Sequence, residues 1–247
     1  MNIVKVKNYE DMSREAANFI LKKLKKNPHI TLGLATGGTP TGTYKELIED
    51  HKVNGTSYKG VSTVNLDEYI GLSPEDPNSY RHYMNEALFN SIDIRIEQTH
   101  VPHGLTGSLQ QECKRYENLI EKLGGIDLQL LGIGSNGHIG FNEPGTPFGS
   151  RTHIIDLAPS TREANARFFS SMEEVPTQAI TMGIASIMKS REILLLASGG
   201  AKSEAVKRLL LGKVTEDFPA SVLQLHPNVT IIADEEAMVG VIEEGMA

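Results

Sequence analysis

Cysteine is nearly missing from this chain of 247 residues, with Cys113 as its one thiol. An internal disulfide and any site built from several thiolates are therefore excluded, and Cys113 is expected to be an ordinary helix residue. Net positive charge is missing too. Lys and Arg number 24 against 31 Asp and Glu, a formal balance of -7, which argues against a general nucleic-acid surface. An anionic small molecule stays open, because a local cluster of donors can hold one on an acidic protein. No apolar run approaches the roughly 20 residues of a membrane span. Residues 1–5 lack the apolar core of a secretory signal, so a cytoplasmic location is expected. Repeats, low-complexity tracts and linkers are also missing, and residues 1–247 are expected to form a single domain.

What is present is an alternation of strand-like and helix-like segments. Strands are expected over residues 3–6, 29–35, 61–66, 126–133, 152–157, 193–197 and 229–233. Helices are expected over 9–26, 39–50, 78–89, 109–123, 176–188 and 201–211. Pro40 suits the first turn of its helix. The lysines near residue 26 suit a solvated helix end. The alternation implies parallel strands joined by crossover helices, an α/β three-layer sandwich of Rossmann-like type.

The most informative stretch is the apolar segment 126–133 with the glycine-rich loop that follows it. Asn136, His138, Asn142 and Glu143 crowd into that loop, where open α/β sheets place their chemistry. Gly132, Gly134 and Gly137 match a dinucleotide fingerprint, and Asp156 stands at the expected distance beyond. That fingerprint needs a helix opening at the third glycine. Gly140, Pro144 and Gly145 oppose one. His138 and Glu143 can serve as an acid/base pair, or can ligate a metal together with Asp67. Nothing here has the His-Glu-x-x-His spacing of a helical zinc site.

Two further strand ends carry polar groups. Thr36, Gly37, Gly38 and Thr39 follow a buried strand and precede a helix. Such a turn aims backbone N–H groups at one point and suits a phosphate, whether or not Thr39 also caps the helix. It is not a Walker loop, since no Gly-Lys-Ser/Thr follows. Asp67 and Glu68 end another strand, and can act as bases or cap a turn and face solvent. Of the cations, Lys202 sits at a strand-to-helix junction suited to neutralising a phosphate. Arg167 is a second candidate, and Arg162 reads as a surface cation.

Taken together these segments resemble the glucosamine-6-phosphate deaminase family. The matching motifs are 32–40, Asn65 to Tyr69, Gly132 to Pro144, 150–153 and 223–227, in order along nearly the whole chain. The resemblance implies a Rossmann-like sheet and conversion of D-glucosamine 6-phosphate and water to D-fructose 6-phosphate and ammonia, with no metal or organic cofactor. It implies Asp67 as the base at C2, and His138 as the acid/base that opens the sugar ring, supported by Glu143 and Asn136. It implies Thr36, Gly37, Gly38, Thr39, Arg167 and Lys202 as the phosphate site. Many family members have Asp where Asn136 stands, which makes Glu143 the anionic partner of His138 and the role of Asn136 orientational. Ser150 to Ile155 carries few cations, and Glu243 and Glu244 make the last residues acidic. Both features imply a monomer or small oligomer, insensitive to N-acetylglucosamine 6-phosphate. The rival readings are a phosphosugar lactonase or isomerase of related fold, and an effector-binding regulator domain. The latter would normally carry a basic DNA-binding segment, and none is evident.

Overall fold

The computed structural model of the chain describes residues 1–242, with Phe168 described by its backbone alone. The acidic positions Glu243 and Glu244 lie outside the described residues.

The chain opens with β1 (Asn2–Val6), α1 (Tyr9–Lys26), β2 (Thr31–Leu34), α2 (Thr41–Asn54), β3 (Ser62–Asn65), β4 (Asp67–Tyr69), α3 (Tyr80–Ala87) and β5 (Thr99–His100). It continues through α4 (Leu109–Lys122), β6 (Leu128–Leu131), β7 (His153–Asp156), α5 (Pro159–Asn165), β8 (Gln178–Thr181) and α6 (Ile184–Met188). It closes with β9 (Ile193–Ala197), α7 (Ser203–Leu211), β10 (Val229–Asp234) and α8 (Glu235–Ile242). Seven strands form one sheet in the order β1-β10-β9-β6-β2-β3-β5, parallel at every pairing. Helices cover both faces, so the strands are apolar on both sides. One core cluster joins α1, α2 and α3 to the sheet through Met12, Ile20, Tyr44, Leu47 and Met84. The other joins α4, α6, α7 and α8 through Tyr116, Ile187, Leu209 and Met238. The expected three-layer α/β sandwich with a parallel sheet is thus observed.

Local chemistry sets the helix ends. Asn8 caps α1 by accepting from the Asp11 N–H, and Ser79 caps α3 by accepting from the His82 N–H. The proline at the head of α2 behaves differently from the expectation. Pro40 is itself the cap residue and the helix starts at Thr41, so Thr39 stands before the helix and does not cap it. The Thr41 hydroxyl instead donates to the Gly37 carbonyl at 3.0 Å.

Two expectations are corrected. Residues 176–188 are not one helix: β8 occupies Gln178–Thr181, and only Ile184–Met188 is helical. Gly183 separates them, because a side chain there would lie 2.2 Å from the carbonyl oxygens of Ser150 and Arg151. The segment 152–157 is a strand as expected, but it lies outside the parallel sheet. β7 pairs antiparallel with β8, and β8 with β4, in a separate sheet of three strands. That small sheet carries Asp67 at the start of β4, in register with Thr181.

Candidate active site

One cleft of about 520 Å³ opens at the C-terminal ends of the parallel strands. Asp67, Asn136, His138, Thr36, Gly37, Gly38, Thr39, Arg167 and Lys202 all line it. Residues from five separate stretches of sequence are thereby brought to one place. Glu143 does not line the cleft. It is buried behind His138 and Asn136, 7% exposed.

At one end the loop after β2 makes a cradle. Its carbonyls point away: Tyr83 and Thr41 donate to the Gly37 oxygen and Tyr9 donates to that of Gly38. Among the described residues nothing accepts from the N–H groups of Gly37, Gly38 and Thr39. Gly37 takes φ 87°, the left-handed region that turns its amide the other way. The guanidinium of Arg167 reaches the same loop, since a Cβ on Gly38 would lie 3.6 Å from its Nη2. Lys202 faces it from the turn after β9. Burial pushes the Lys202 ammonium below its usual range, and the charge of Arg167 adds to that push. Two cations crowded beside free backbone N–H groups make a site for an anion.

Asp234 holds the Lys202 turn. The Ser198 hydroxyl and the Gly199 N–H both donate to its carboxylate, which also caps α8 by accepting from the Ala237 N–H.

Along the cleft wall, Asp67 is 5% exposed. Burial, with the neighbouring Glu68 charge adding to it, pushes its carboxyl up to about 8. Burial also pushes Glu68 up, to about 7, against the pull of its hydrogen bonds. Glu68 is neither solvated nor in the cleft. It accepts from the N–H groups of Tyr69, Tyr80 and Arg81 across the head of α3. Those donors serve Glu68 alone, so it is the easier of the two to ionise.

A stability consequence follows with a definite sign. Asp67 has its folded pKa raised, so its contribution is full below the unfolded value near 4 and is lost as pH rises toward about 8. Asp67→Asn is therefore expected to melt above the parent protein at pH 8, by about 3 °C or more, with the gain shrinking toward pH 4. Scanning calorimetry at the two pH values checks it. A variant that melts below the parent at pH 8 contradicts the buried, raised carboxyl.

Opposite stands the loop after β6. It closes on itself: Gly134 N–H donates to the His138 carbonyl, and the His138 N–H donates to Asn136 Oδ1 at 3.1 Å. The helix that a dinucleotide fingerprint requires does not form, since residues 137–145 contain no helix, only turns at 140–141 and 144–145 and an Ile139–Asn142 bridge. A Cβ on Gly140 would lie 3.5 Å from Asp67 Oδ2, which shows how near this loop comes to that carboxylate. Asn136 Nδ2 donates to Glu143 Oε2 at 2.8 Å, and the Thr161 hydroxyl donates to Glu143 Oε1. His138 Nδ1 lies 3.7 Å from Oε2. Burial works against the Glu143 charge, but His138, Thr161 and Asn136 outweigh it and hold the carboxyl at about 2. Both carboxylate oxygens are thus already bonded within the protein. Among the described residues no group of three or more His, Cys, Asp or Glu is gathered as metal ligands would be.

Sequence reasoning missed Tyr80 and Thr161. Tyr80 lines the cleft, stacks on Phe141 with centroids 6.0 Å apart and donates to the Tyr69 hydroxyl. Arg162 is not a plain surface cation. It donates to the carbonyls of Met172 and Val175 and ties α5 to the following turn.

The family of glucosamine-6-phosphate isomerases and 6-phosphogluconolactonases matches residues 7–232. The chain belongs to that family. A member from Geobacillus sp. (strain WCH70), named glucosamine-6-phosphate deaminase, is 63% identical over 238 residues, covering 96% of this chain and 95% of the relative. A solved structure of a monomeric glucosamine-6-phosphate deaminase superposes with TM-score 0.96 at 52% identity, covering 97% of this chain and all of that one. A 6-phosphogluconolactonase from Trypanosoma brucei shares the fold, with TM-score 0.78 at 19% identity over 100% of this chain and 98% of that one. Within the family, the present chain is much more similar to these deaminases than to the lactonase.

Proposed function

We propose that this family member converts D-glucosamine 6-phosphate and water to D-fructose 6-phosphate and ammonia. The observation that carries the reading is one cleft with an anion cradle at one end and a buried carboxylate facing an imidazole loop at the other. The phosphate is anchored by the N–H groups of residues 37–39 with Arg167 and Lys202, and its binding energy fixes the reacting end of the sugar.

His138 takes the proton of the C1 hydroxyl and delivers it to the ring oxygen, so that the bond from C1 to the ring oxygen breaks and the pyranose opens to the free aldehyde. Glu143 stabilises the imidazolium formed between the two transfers, and Asn136 holds Glu143 and the His138 backbone in register. Asp67 then takes the C2 proton and returns it to C1, while one proton passes from the C2 ammonium to O1, which turns the 2-amino aldehyde into a 2-imino sugar with a C1 hydroxyl. Water adds at C2 and ammonia departs, leaving the ketone. The base must be ionised to act. The substrate's C2 ammonium supplies a cation against the buried Asp67 and draws its pKa down from about 8.

Incubation with glucosamine 6-phosphate is expected to yield equal amounts of ammonia and fructose 6-phosphate, and the N-acetylated sugar phosphate none. Release of a phosphogluconate from its lactone, with no ammonia from the amino sugar, would favour the lactonase reading instead.

The cradle makes its own prediction. Lys202→Ala and Arg167→Ala are each expected to weaken binding of inorganic phosphate and substrate by about 10-fold or more, with the fold retained. Calorimetric titration measures it, and unchanged affinity in either variant removes that residue from the cradle.

We further propose a monomer or small oligomer with hyperbolic kinetics and no activation by N-acetylglucosamine 6-phosphate. Arg151, the cation of the Ser150–Ile155 segment, is engaged with Glu117 and Glu121 rather than offered to an effector. Rate curves with and without the acetylated sugar, together with light scattering, test this. A sigmoidal curve straightened by that sugar, with a hexamer mass, refutes it.

A further inference from the structure

His138 and Glu143 are neighbours that do not bond. The 3.7 Å between Nδ1 and Oε2 is within ion-pair reach but too long for a hydrogen bond. Among the described residues, Nδ1 of His138 is a buried polar atom with no hydrogen-bond partner. It is one of several such atoms, but the one that stands at the reacting end of the cleft, where catalytic hydrogen bonds are often long until substrate is bound.

Two groups fix the carboxylate. Asn136 belongs to the same loop as Glu143. Thr161 does not. It sits on the buried side of α5, 4% exposed, and its hydroxyl reaches Glu143 Oε1. The same short helix puts Ser160, Ala164 and Asn165 into the cleft wall, and Thr161 itself borders the cleft. It runs without a break into the 3₁₀ turn Ala166–Phe168, which carries Arg167 into the anion cradle beside Lys202. Seven helical residues thus join the anion end of the cleft to the carboxylate behind the imidazole.

We propose that Thr161 is a positioning residue. Through α5 its hydroxyl couples filling of the phosphate cradle to closure of the hydrogen bond between Glu143 and His138 Nδ1. The inference rests on the proposed cradle and on the proposed role of His138. An anion drawing on Arg167 shifts α5, the Thr161 hydroxyl carries Glu143 Oε1 with it, and Oε2 swings onto the imidazole. Ring opening is thereby favoured when a phosphorylated sugar is in place.

The test compares the parent protein with Thr161→Val, which keeps the shape and removes the donor, and Thr161→Ser, which keeps the donor. With glucosamine 6-phosphate, Thr161→Val is expected to lose about 10- to 100-fold in kcat with KM within about threefold, and Thr161→Ser to recover most of it. A second arm uses no turnover. Inorganic phosphate is titrated into each protein while the low-field imidazole N–H region of the proton NMR spectrum is followed, with a His138→Gln sample for assignment. A His138 resonance is expected to appear on phosphate binding in the parent and in Thr161→Ser. It is expected to be missing in Thr161→Val, although phosphate still binds. The coupling is overturned if Thr161→Val gains the same resonance, if the parent gains none, or if Thr161→Val keeps parental kcat. Should the parent release no ammonia, the functional reading falls and the spectroscopic arm alone decides the coupling.

Discussion

Asp67→Asn is expected still to bind glucosamine 6-phosphate through the phosphate cradle and to turn it over roughly 10²- to 10⁴-fold more slowly. The amide has nearly the shape of the carboxyl, and the position is closed in by Gly140 and by Thr181 on the paired strand. The cleft therefore keeps its form, and the phosphate end is untouched. What is lost is the capacity to take a proton, which no neighbour replaces: Glu68 has its oxygens on three backbone N–H groups outside the cleft. Exchange of the C2 hydrogen with deuterated water should fall with turnover, since both need the same proton transfer. Near-parental turnover, or exchange persisting without turnover, would show that another group is the base.

The second large effect separates two glycines three residues apart. Gly134 lies under the His138 ring, where a Cβ would stand 2.5 Å from Cε1 and 2.6 Å from each ring nitrogen. The ring must move away, and it can, because its side chain is 26% exposed. Gly134→Ala is expected to fold, to melt within a few degrees of the parent and to lose about 10²-fold in kcat, the usual consequence of moving a reacting group by roughly 1 Å. Gly137 meets a different obstacle. Its φ is 88° and a Cβ would stand 2.2 Å from the Phe218 ring, which is buried and backed by Arg208 at 4.3 Å. That ring has nowhere to go. Gly137→Ala is expected to cost about 1–3 kcal/mol of stability, read as a lower melting temperature. Thermal melts and kcat on the two purified variants check both claims. Full activity in Gly134→Ala would mean that the imidazole position does not govern the rate.

The parallel sheet was legible because its strands are apolar on both faces, and α1 because its buried residues recur at helical spacing over eighteen residues. The polar loops at strand ends announced most of the cleft for the same reason: a buried strand stops where the chain turns polar. Short elements were harder. β4 has three residues and takes its strand geometry from pairing with β8, which no local pattern encodes. β8 reads as part of a helix because Ile180, Ile184 and Ile187 are spaced by four and three residues. Gly183 between them was the available warning. Tyr80 and Thr161 reach the site through packing of α3 and α5 against distant loops. Nothing in their own surroundings marks them, and Thr161 becomes visible only through its bond to Glu143 eighteen residues away.

The strand order bears on how the molecule is made. β1 is paired with β10 alone, so it is synthesised more than 200 residues before the strand that gives it a neighbour. The turn bearing Lys202 waits as well, since Asp234 at the end of β10 is what fastens it. A nascent chain halted before residue 229 can gather Asp67 and His138 but cannot complete the phosphate cradle. Competence to hold a sugar phosphate should therefore arrive late and in one step, when the closing strand slides between β1 and β9.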